Sequence, residues 1–475
     1  MRAVGSVAGP PLQQRSQYNP DSLLYLAFLA ILVWAPLPFA SNRVWAGAFL
    51  AALVGLALTG WLLLYAVGKA SMDPSLWRRA RLPLALLVLV QCWVALQIQY
   101  LPRSWVEALS PQAYAWHVGE GWLSLSLDRE YSKYYLLRGC TLTAGFFLTL
   151  VLVNTQQRLR IFLQVLVFSG TFQAAYGAMM VLSGLELGFF VEKYAGQGVA
   201  TGTFVNRNHL AGYLVMCLAA GIGLLLSQLA NSQAINWRDR VRRWLGLLLS
   251  PKFRLRIYLA IMVVALVLTR SRMGNIAFFV SLAAAGAIAV FAGRRFSPRL
   301  MLFLCSLFVV DLLILGRWFG LDKLLQRLEQ TNPSGEPRTW SHAAVLDYVR
   351  EFPLTGSGGG SFYGVFPNFQ PPALEGFYLH AHNDYLEFAA ELGLPATVVL
   401  LVFTCLALHS SIAAQKQRRN PLCRGAAFAV TMTVCWAAIH SLVDFNLQIP
   451  ANALTFVTLL GIAFVCRTLP SRPAD

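Results

Sequence analysis

Long apolar runs alternate with short polar stretches along almost the whole chain. A membrane-spanning helix needs about 20 mostly apolar residues, and twelve runs approach that length. They lie near residues 22–38, 44–67, 82–99, 138–154, 160–183, 209–229, 256–270, 275–292, 299–316, 392–413, 423–440 and 451–467. The pattern predicts an all-α polytopic membrane protein with about 12 transmembrane helices. Because twelve is an even number, both termini are expected on the same side of the membrane.

The composition supports the same class of protein. Of the 475 residues, 57% are hydrophobic and only 12% are charged, whereas a soluble domain carries about 25% charged residues. This composition excludes a disordered chain, a coiled coil and an ordinary soluble enzyme.

The net charge of +17 would indicate a nucleic-acid partner in a soluble protein. Here the charged residues are distributed unequally between the two sides of the membrane. With cytoplasmic termini, most of the basic residues fall in cytoplasmic segments, while the opposite side is slightly acidic. Basic residues are enriched in cytoplasmic loops of membrane proteins. The charge therefore indicates topology and predicts no nucleic-acid partner.

This topology divides the chain into five parts. Residues 1–21 form a cytoplasmic tail, 22–316 hold spans one to nine, 317–391 form a large periplasmic loop, 392–467 hold spans ten to twelve, and 468–475 form a second cytoplasmic tail. A loop of this length between spans nine and ten is too long for an idle connection and is expected to be functional. A second outer segment, residues 99–138, mixes aromatic and charged residues, as is typical of a helix or loop at the membrane interface.

Four polar clusters lie at the ends of predicted spans, where polar residues are costly and are candidates for function. The topology places all four on the periplasmic side. They are GTFVNRNHLAG at 202–212, TRSRMGN at 269–275, HAHNDYLE at 380–387 and HSLVDFN at 440–446.

Three arginines in the first two clusters, Arg207, Arg270 and Arg272, form a candidate anion site. The guanidinium group stays charged and pairs with phosphate oxygens through two bonds. Three of them at the membrane–water boundary suit a lipid-linked diphosphate. Asn206 or Asn208 is expected to cap the sixth span, whose free N–H groups also favour an anion. The alternative is ordinary interfacial arginines whose charged ends reach water.

His382 in the third cluster is the candidate general base. A neutral imidazole just ahead of a helix start can take a proton from a sugar hydroxyl. Asp384 followed by Glu387 resembles a capping box with Asp384 in the capping position. The alternatives are a metal site formed by His380, His382 and Asp384, which no other ligand spacing supports, and a solvated histidine with no role.

Three further features have open interpretations. His440 and Asp444 are spaced i, i+4, so they either pair on one helical face and fix the imidazole tautomer, or form a buried pair that closes a helix end. Asp311 inside the ninth span needs a partner, for which Arg270 and Arg272 are candidates. The glycine-rich segment 356–360 is interpreted as a flexible turn or as a close backbone approach to a ligand.

The segments GTFVNRNHLAGYL, TRSRMGN, PRTWSHAAVLDYVREFPLTGSGGGSF and HAHNDYLEFAAELGLP resemble the O-antigen ligase and Wzy-type polymerase superfamily over roughly residues 200 to 450. The resemblance implies a GT-C-like fold in the bacterial inner membrane, with the active site facing the periplasm. It implies a metal-independent, inverting glycosyltransferase without a cofactor, whose donor is a glycan on undecaprenyl diphosphate. The implied acceptor is lipid A-core or another glycan, and contacts with other polysaccharide-export proteins are compatible with this role.

The resemblance also assigns roles to residues. The catalytic histidine would be His382, and the diphosphate-binding residues would be Arg207 with one or both of Arg270 and Arg272. Arg338 matches an arginine at the start of an outer-loop helix. The expected supporting residues are Arg338, Asp384, His440 and Asp444.

The alternatives to a ligase are a Wzy-type O-antigen or exopolysaccharide polymerase and, less favoured, a polysaccharide transporter or flippase. A transporter site is expected near the bilayer midplane, whereas the polar clusters lie at one boundary. The sequence does not distinguish a ligase from a polymerase, since both use the same donor.

Overall fold

A computed structural model describes residues 20–117, 121–188, 191–193, 196–229, 251–292, 337–372, 374 and 376–470. Within these residues the chain is helical, apart from one antiparallel hairpin of β1 (Leu187–Gly188) and β2 (Val191–Glu192) and short connections. The helices are α1 Ser22–Trp34, α2 Val44–Ala66, α3 Pro74–Ile98, α4 Arg103–Leu109, α5 Pro111–Trp116, α6 Arg129–Leu152, α7 Gln156–Ser183, α8 Arg207–Leu229, α9 Pro251–Leu268, α10 Arg272–Ala292, α11 Pro337–Glu351, α12 Phe362–Val365, α13 Asp384–Leu392, α14 Leu394–Gln417, α15 Pro421–His440 and α16 Pro450–Thr468. Single 3₁₀ turns occupy Phe39–Ser41, Phe366–Asn368 and Asn446–Gln448.

Nine of the twelve predicted spans form helices that are long and apolar enough to cross a membrane, counted within the described residues. They are α2, α3, α6, α7, α8, α10, α14, α15 and α16. The chain is thus a polytopic helical membrane protein.

The other three predicted spans have different outcomes. The first run forms only the 13-residue α1, because Pro36 and Pro38 follow it and proline cannot continue a helix. The seventh run forms α9, which is not among the nine apolar helices. Its first six residues include three basic ones, Lys252, Arg254 and Arg256. The ninth run, 299–316, lies outside the described residues, and so does Asp311.

The core of the bundle is built from α8, α15 and α16. In the most apolar part of α8 and of α16, 89% of the residues are buried, against 28% in α2. Gly223 and Gly425 face each other so closely that a Cβ on either would overlap the other's carbonyl group. Small residues of this kind let membrane helices approach backbone to backbone. This close crossing joins the end of α8 to the start of α15. At the other end of the pair, a Cβ on Gly212 would lie 2.7 Å from the Trp436 ring, so the start of α8 packs closely beside the end of α15.

Helix ends sort into two opposite ends of the bundle. At one, which we call the site end, α8, α10, α14 and α16 begin and α9 and α15 finish. Here Ala200 N–H donates to Leu268 O at 2.9 Å, and Asp384 N–H donates to Ser441 O at 2.9 Å. At the opposite end, Arg158 in the first turn of α7 forms a buried ion pair with Asp21 at 2.7 Å, just ahead of α1. The four polar clusters of the sequence all fall at the site end.

The described part of the large loop has its own apolar core on the site end. Helices α11, α12 and α13 pack around the buried rings of Tyr348, Phe352, Phe362 and Phe366. The expectation that a helix starts near Arg338 agrees with α11, which begins at Pro337; the Arg338 side chain itself lies outside what the structure describes.

The interpretation of segment 356–360 as a flexible turn is wrong. Ser357 N–H donates to Ala390 O at 3.0 Å, and Gly358 N–H donates to Glu391 O at 3.0 Å. Gly356 has φ of +66°, and a Cβ there would overlap the Glu391 carbonyl. Glycine is needed because the backbone is left-handed and lies directly on another backbone. The close approach is therefore to the end of α13, and the segment is a buried seam between the loop and the bundle.

The outer aromatic segment forms the short helices α4 and α5, tied by backbone pairing of Leu101 with Leu123. Trp105 and Trp122 are exposed, as the prediction of an interfacial helix or loop requires. Its secondary structure agrees with that prediction, while its depth in a membrane stays a prediction.

Candidate active site

The first arginine stands at the very start of α8. Asn206 caps this helix, since its Oδ1 accepts from Asn208 N–H at 2.8 Å. Of the two predicted caps, Asn206 is therefore the one used. Arg207 is the first helical residue and is exposed. Arg207 therefore lies at the N-terminal end of the helix, where free backbone N–H groups favour an anion.

The other two arginines flank the tight turn between α9 and α10. Thr269 Oγ1 accepts from Ser271 N–H, and Ser271 Oγ accepts from Gly274 N–H, both at 3.1 Å. Arg270 has φ of +51°, a left-handed conformation that is strained for a residue with a side chain. Arg272 is the first residue of α10, and both arginines are exposed. The turn therefore presents two guanidinium groups at the site end.

These two arginine segments are neighbours in space. A Cβ on Gly274 would lie 2.6 Å from the Cβ of Ala211, so the first turn of α10 lies against the second turn of α8. In the described parts of the chain, none of the three arginines forms an ion pair with a carboxylate. The site end thus carries exposed positive charge that an anionic ligand can neutralise.

His382 lies half-buried just before α13, with φ of +52°. Its ring meets that of Phe445 edge to face at 4.9 Å. The prediction that His382 precedes a helix start is confirmed by α13, which begins at Asp384.

The predicted capping role of Asp384 is wrong. The cap is Asn383, whose Oδ1 accepts from Leu386 N–H at 3.1 Å. Asp384 is already the first helical residue. Its carboxylate accepts from Ser441 Oγ at 2.7 Å and from Leu447 N–H at 3.3 Å. Burial, together with the nearby Glu387 charge, raises the pKa of Asp384 well above its ordinary value. Asp384 therefore ties the His382 segment to the loop after α15.

Glu387 binds His380, a pairing that the sequence did not reveal. Its Oε1 lies 2.7 Å from His380 Nδ1, and its Oε2 accepts from Ala381 N–H at 2.8 Å. Glu387 is buried, while the side chain of His380 is 22% exposed. The two residues are seven positions apart across a helix start, so no helical periodicity predicts their contact.

Phe445 is the second feature of the site that the sequence did not reveal. Besides His382, its ring stacks on His380 at 4.2 Å and 19°, and meets His209 edge to face at 4.6 Å. Three imidazoles from two distant segments therefore surround one phenylalanine. The one indication in the sequence is that Phe445 lies between Asp444 and Asn446 in the fourth polar cluster.

Asp444 contacts the start of α8. One carboxylate oxygen lies 3.6 Å from His209 Nε2 and accepts from Phe445 N–H at 2.8 Å, and the other accepts from Asn208. Burial opposes ionisation, but the contact with His209 and the electrostatic effect of the His209 and His440 imidazoles hold the pKa of Asp444 well below its ordinary value. Asp444 is thus a buried, ionised carboxylate that faces the His209 ring.

The predicted i, i+4 helical face of His440 and Asp444 is corrected by the structure. Helix α15 ends at His440, so Asp444 lies in the following loop. His440 Nδ1 accepts from Asn446 Nδ2 at 3.0 Å, and Asn446 Oδ1 accepts from Asn452 Nδ2 at 2.7 Å. This buried chain of side chains links α15 to the first turn of α16.

Two side chains of the alternative metal site, those of His380 and Asp384, have partners among the described residues. His380 Nδ1 is engaged by Glu387, and Asp384 Oδ2 by Ser441. Within the described residues no group of three or more His, Cys, Asp or Glu side chains is arranged to hold a metal ion.

The arrangement supplies an exposed cationic surface beside a cluster of imidazoles whose orientation is fixed by carboxylates and a phenylalanine. Comparison with known proteins shows that residues 257–401 match the family described as O-antigen ligase. This is less than a third of the chain, and it includes Arg270, Arg272, Arg338, His382 and Asp384. No curated protein matches the chain. The match confirms the resemblance over residues 257–401, which are similar to the O-antigen ligase family.

Proposed function

We propose that the protein is an O-antigen ligase-like membrane glycosyltransferase that moves a glycan from undecaprenyl diphosphate to an acceptor hydroxyl. The observation that carries this proposal is the convergence, at one end of the bundle, of arginines without acidic partners among the described residues and of the His382 segment. The proposal places this end at the periplasmic face of the bacterial inner membrane, with both termini in the cytoplasm.

On the donor side, Arg207, Arg270 and Arg272 neutralise the diphosphate. Their exposure leaves their planar forks open for bidentate contacts with phosphate oxygens, and the α8 N-terminus adds a favourable dipole. A leaving diphosphate gains charge as its bond to the sugar breaks, so fixed cations stabilise the transition state more than the ground state. In this proposal the arginines do the work that a metal ion does elsewhere.

On the acceptor side, His382 acts as general base. It removes the proton of the acceptor hydroxyl as the oxygen attacks the anomeric carbon. The bond between that carbon and the diphosphate breaks, and the electron pair leaves with undecaprenyl diphosphate. A single displacement of this kind inverts the anomeric configuration.

The supporting residues hold these two halves together. Asp384 binds the His382 segment to the loop after α15, Asp444 binds that loop to Asn208 and His209, and His440 closes the end of α15 through Asn446. Arg338 is proposed to support the site from the start of α11. In each case the role is to position a neighbour.

Ligase and polymerase activities differ in the acceptor, which is lipid A-core for a ligase and a second lipid-linked glycan for a polymerase. We favour the ligase-like activity and keep the polymerase as the alternative; the family match supports a transferase of either kind. A transporter or flippase is less favoured, because the candidate residues lie at one end of the bundle and not at its midplane.

Reconstitution tests the proposal directly. The full chain in proteoliposomes is supplied with undecaprenyl-diphosphate-linked glycan and with either lipid A-core or no second acceptor, and the products are analysed by mass spectrometry. Transfer to lipid A-core supports the ligase, and glycan lengthening without it supports the polymerase. Arg207→Ala and Arg270→Ala are expected to abolish transfer, while Arg256→Ala, an exposed arginine at the other end of α9, is the matched control. Absence of both products with wild-type protein, or full activity of both site variants, would refute the proposal.

A further inference from the structure

His380 is held in one orientation from two directions. Its Nδ1 lies 2.7 Å from the buried Glu387 carboxylate, whose second oxygen is fixed by Ala381 N–H at 2.8 Å. Its ring lies flat on Phe445 at 4.2 Å. An imidazole that donates its Nδ1 proton to a carboxylate has its tautomer set, so that Nε2 is an acceptor.

The remaining nitrogen of His380 faces the accessible side. The side chain is 22% exposed although Glu387 and Phe445 are buried. A packed, oriented imidazole with an exposed acceptor nitrogen is suited to receive a hydrogen bond from a ligand hydroxyl. Orientation by a buried partner lowers the entropic cost of such binding.

The distance between His380 and His382, the proposed base, limits which ligand can contact both. The ring centroid of His380 lies 4.2 Å from that of Phe445, and the ring centroid of His382 lies 4.9 Å from it. The two imidazole centroids are therefore at most about 9 Å apart. Each ring extends its reach by a hydrogen bond of about 3 Å. One monosaccharide can therefore contact both histidines through two of its hydroxyl groups.

We propose that His380, oriented by Glu387 and Phe445, binds a second hydroxyl of the acceptor sugar while His382 acts on the reacting one. The proposal rests on the proposed function and adds a specificity residue to its acceptor side. It identifies the acceptor as a sugar that carries a free hydroxyl beside the one that is glycosylated. His380 transfers no proton in this role.

The test is a separation of KM from kcat in the reconstituted full-length protein, using whichever of lipid A-core and lipid-linked glycan supports turnover as acceptor. His380→Ala is expected to raise the KM for the acceptor about 10-fold, the effect of one lost hydrogen bond, with kcat changed less than about twofold. The KM for the donor should stay the same. His380→Gln, whose amide oxygen can accept a hydrogen bond, should recover part of the affinity.

Two further variants separate binding from structure. Glu387→Gln frees the tautomer of His380 and should also raise the acceptor KM, whereas His409→Ala, an exposed histidine on α14, should change nothing. An unchanged acceptor KM in His380→Ala would overturn the proposal. So would equal changes in donor and acceptor KM with a lower melting temperature, which indicate a structural role. If wild-type protein transfers no glycan, the proposed function itself fails; if wild type is active and His380→Ala matches it, only this inference fails.

Discussion

Glu391 offers the sharpest test of the electrostatics at the site end. It is 2% exposed at the end of α13, and its Oε1 accepts from Phe362 N–H at 3.1 Å. Burial, and then the charge of Glu387, raises the pKa of Glu391 from 4.5 to about 8. At neutral pH the folded protein therefore holds this side chain as a neutral acid in the seam between the loop and the bundle.

The sign and size of the effect follow from linkage. The unfolded chain releases this proton near pH 4.5 and the folded protein near pH 8, so the stability that protonation gives is complete below pH 4.5 and is lost as the pH rises through 8. Each pKa unit corresponds to about 1.4 kcal/mol, so the full difference is of the order of 5 kcal/mol. Glu391→Gln carries no proton to lose and should be the more stable protein at high pH.

The assay is thermal unfolding in detergent, followed by intrinsic fluorescence from pH 4.5 to 9. The quantity of interest is the difference in melting temperature between Glu391→Gln and wild type, because the other titrating groups cancel in it. That difference should favour the variant increasingly as pH rises. Glu107→Gln, an exposed glutamate on α4, is the control and should follow wild type throughout. A Glu391→Gln difference that does not vary with pH would contradict the assignment of a neutral acid.

Four other predictions address the site and the topology. His382→Ala should retain about 1% of transfer activity or less, since general-base catalysis contributes 10²–10⁴-fold. It should still bind the donor in a lipid pull-down. A chelator should leave the transfer activity of both the wild type and this variant unchanged. Arg207→Lys should recover only part of the activity lost in Arg207→Ala, because an ammonium group cannot form the bidentate contact. Phe445→Leu should lower kcat more than it lowers the melting temperature, because it releases three imidazoles, and Phe445→Tyr should lower it less. Reporter fusions should read cytoplasmic after Lys416 and periplasmic near Trp122; the reverse would invert the proposed sidedness.

The spans were predictable because a bilayer of fixed thickness imposes a fixed length of apolar sequence. Their ends were less predictable, since helices continue into polar sequence where a cap allows it. Helix α3 starts at Pro74, eight residues before its apolar run, because Asp73 accepts from Ser75 N–H at 2.8 Å. Helix α1 stops early for the opposite reason, at a proline pair. Length of apolar sequence therefore indicates a span better than it locates the span's boundary.

The site was predictable as a set of segments and not as a set of contacts. Polar residues at span ends are costly, and this cost identified the four clusters that meet at the site end. Which carboxylate binds which histidine depends on tertiary structure: Asp444 contacts His209 from 235 positions away, and Glu387 contacts His380 across a helix start. His209 lies in the first polar cluster, but nothing in its neighbourhood along the chain marks Asp444 as its partner.

Asp444 and Phe445 explain how two substrates can be held by one fold. The Asp444 carboxylate binds Asn208 and contacts His209, next to the proposed donor residue Arg207, while the Phe445 ring contacts His380 and His382 on the proposed acceptor side. Two adjacent residues on one backbone therefore fix both halves of the site relative to each other. Transfer requires the reacting atoms to be aligned closely, and such alignment accounts for a large part of the barrier that an enzyme removes. Because residues that share a partner do not act independently, substitutions on the donor and acceptor sides should have non-additive effects on kcat when Phe445 is intact and approach additivity when it is replaced by leucine.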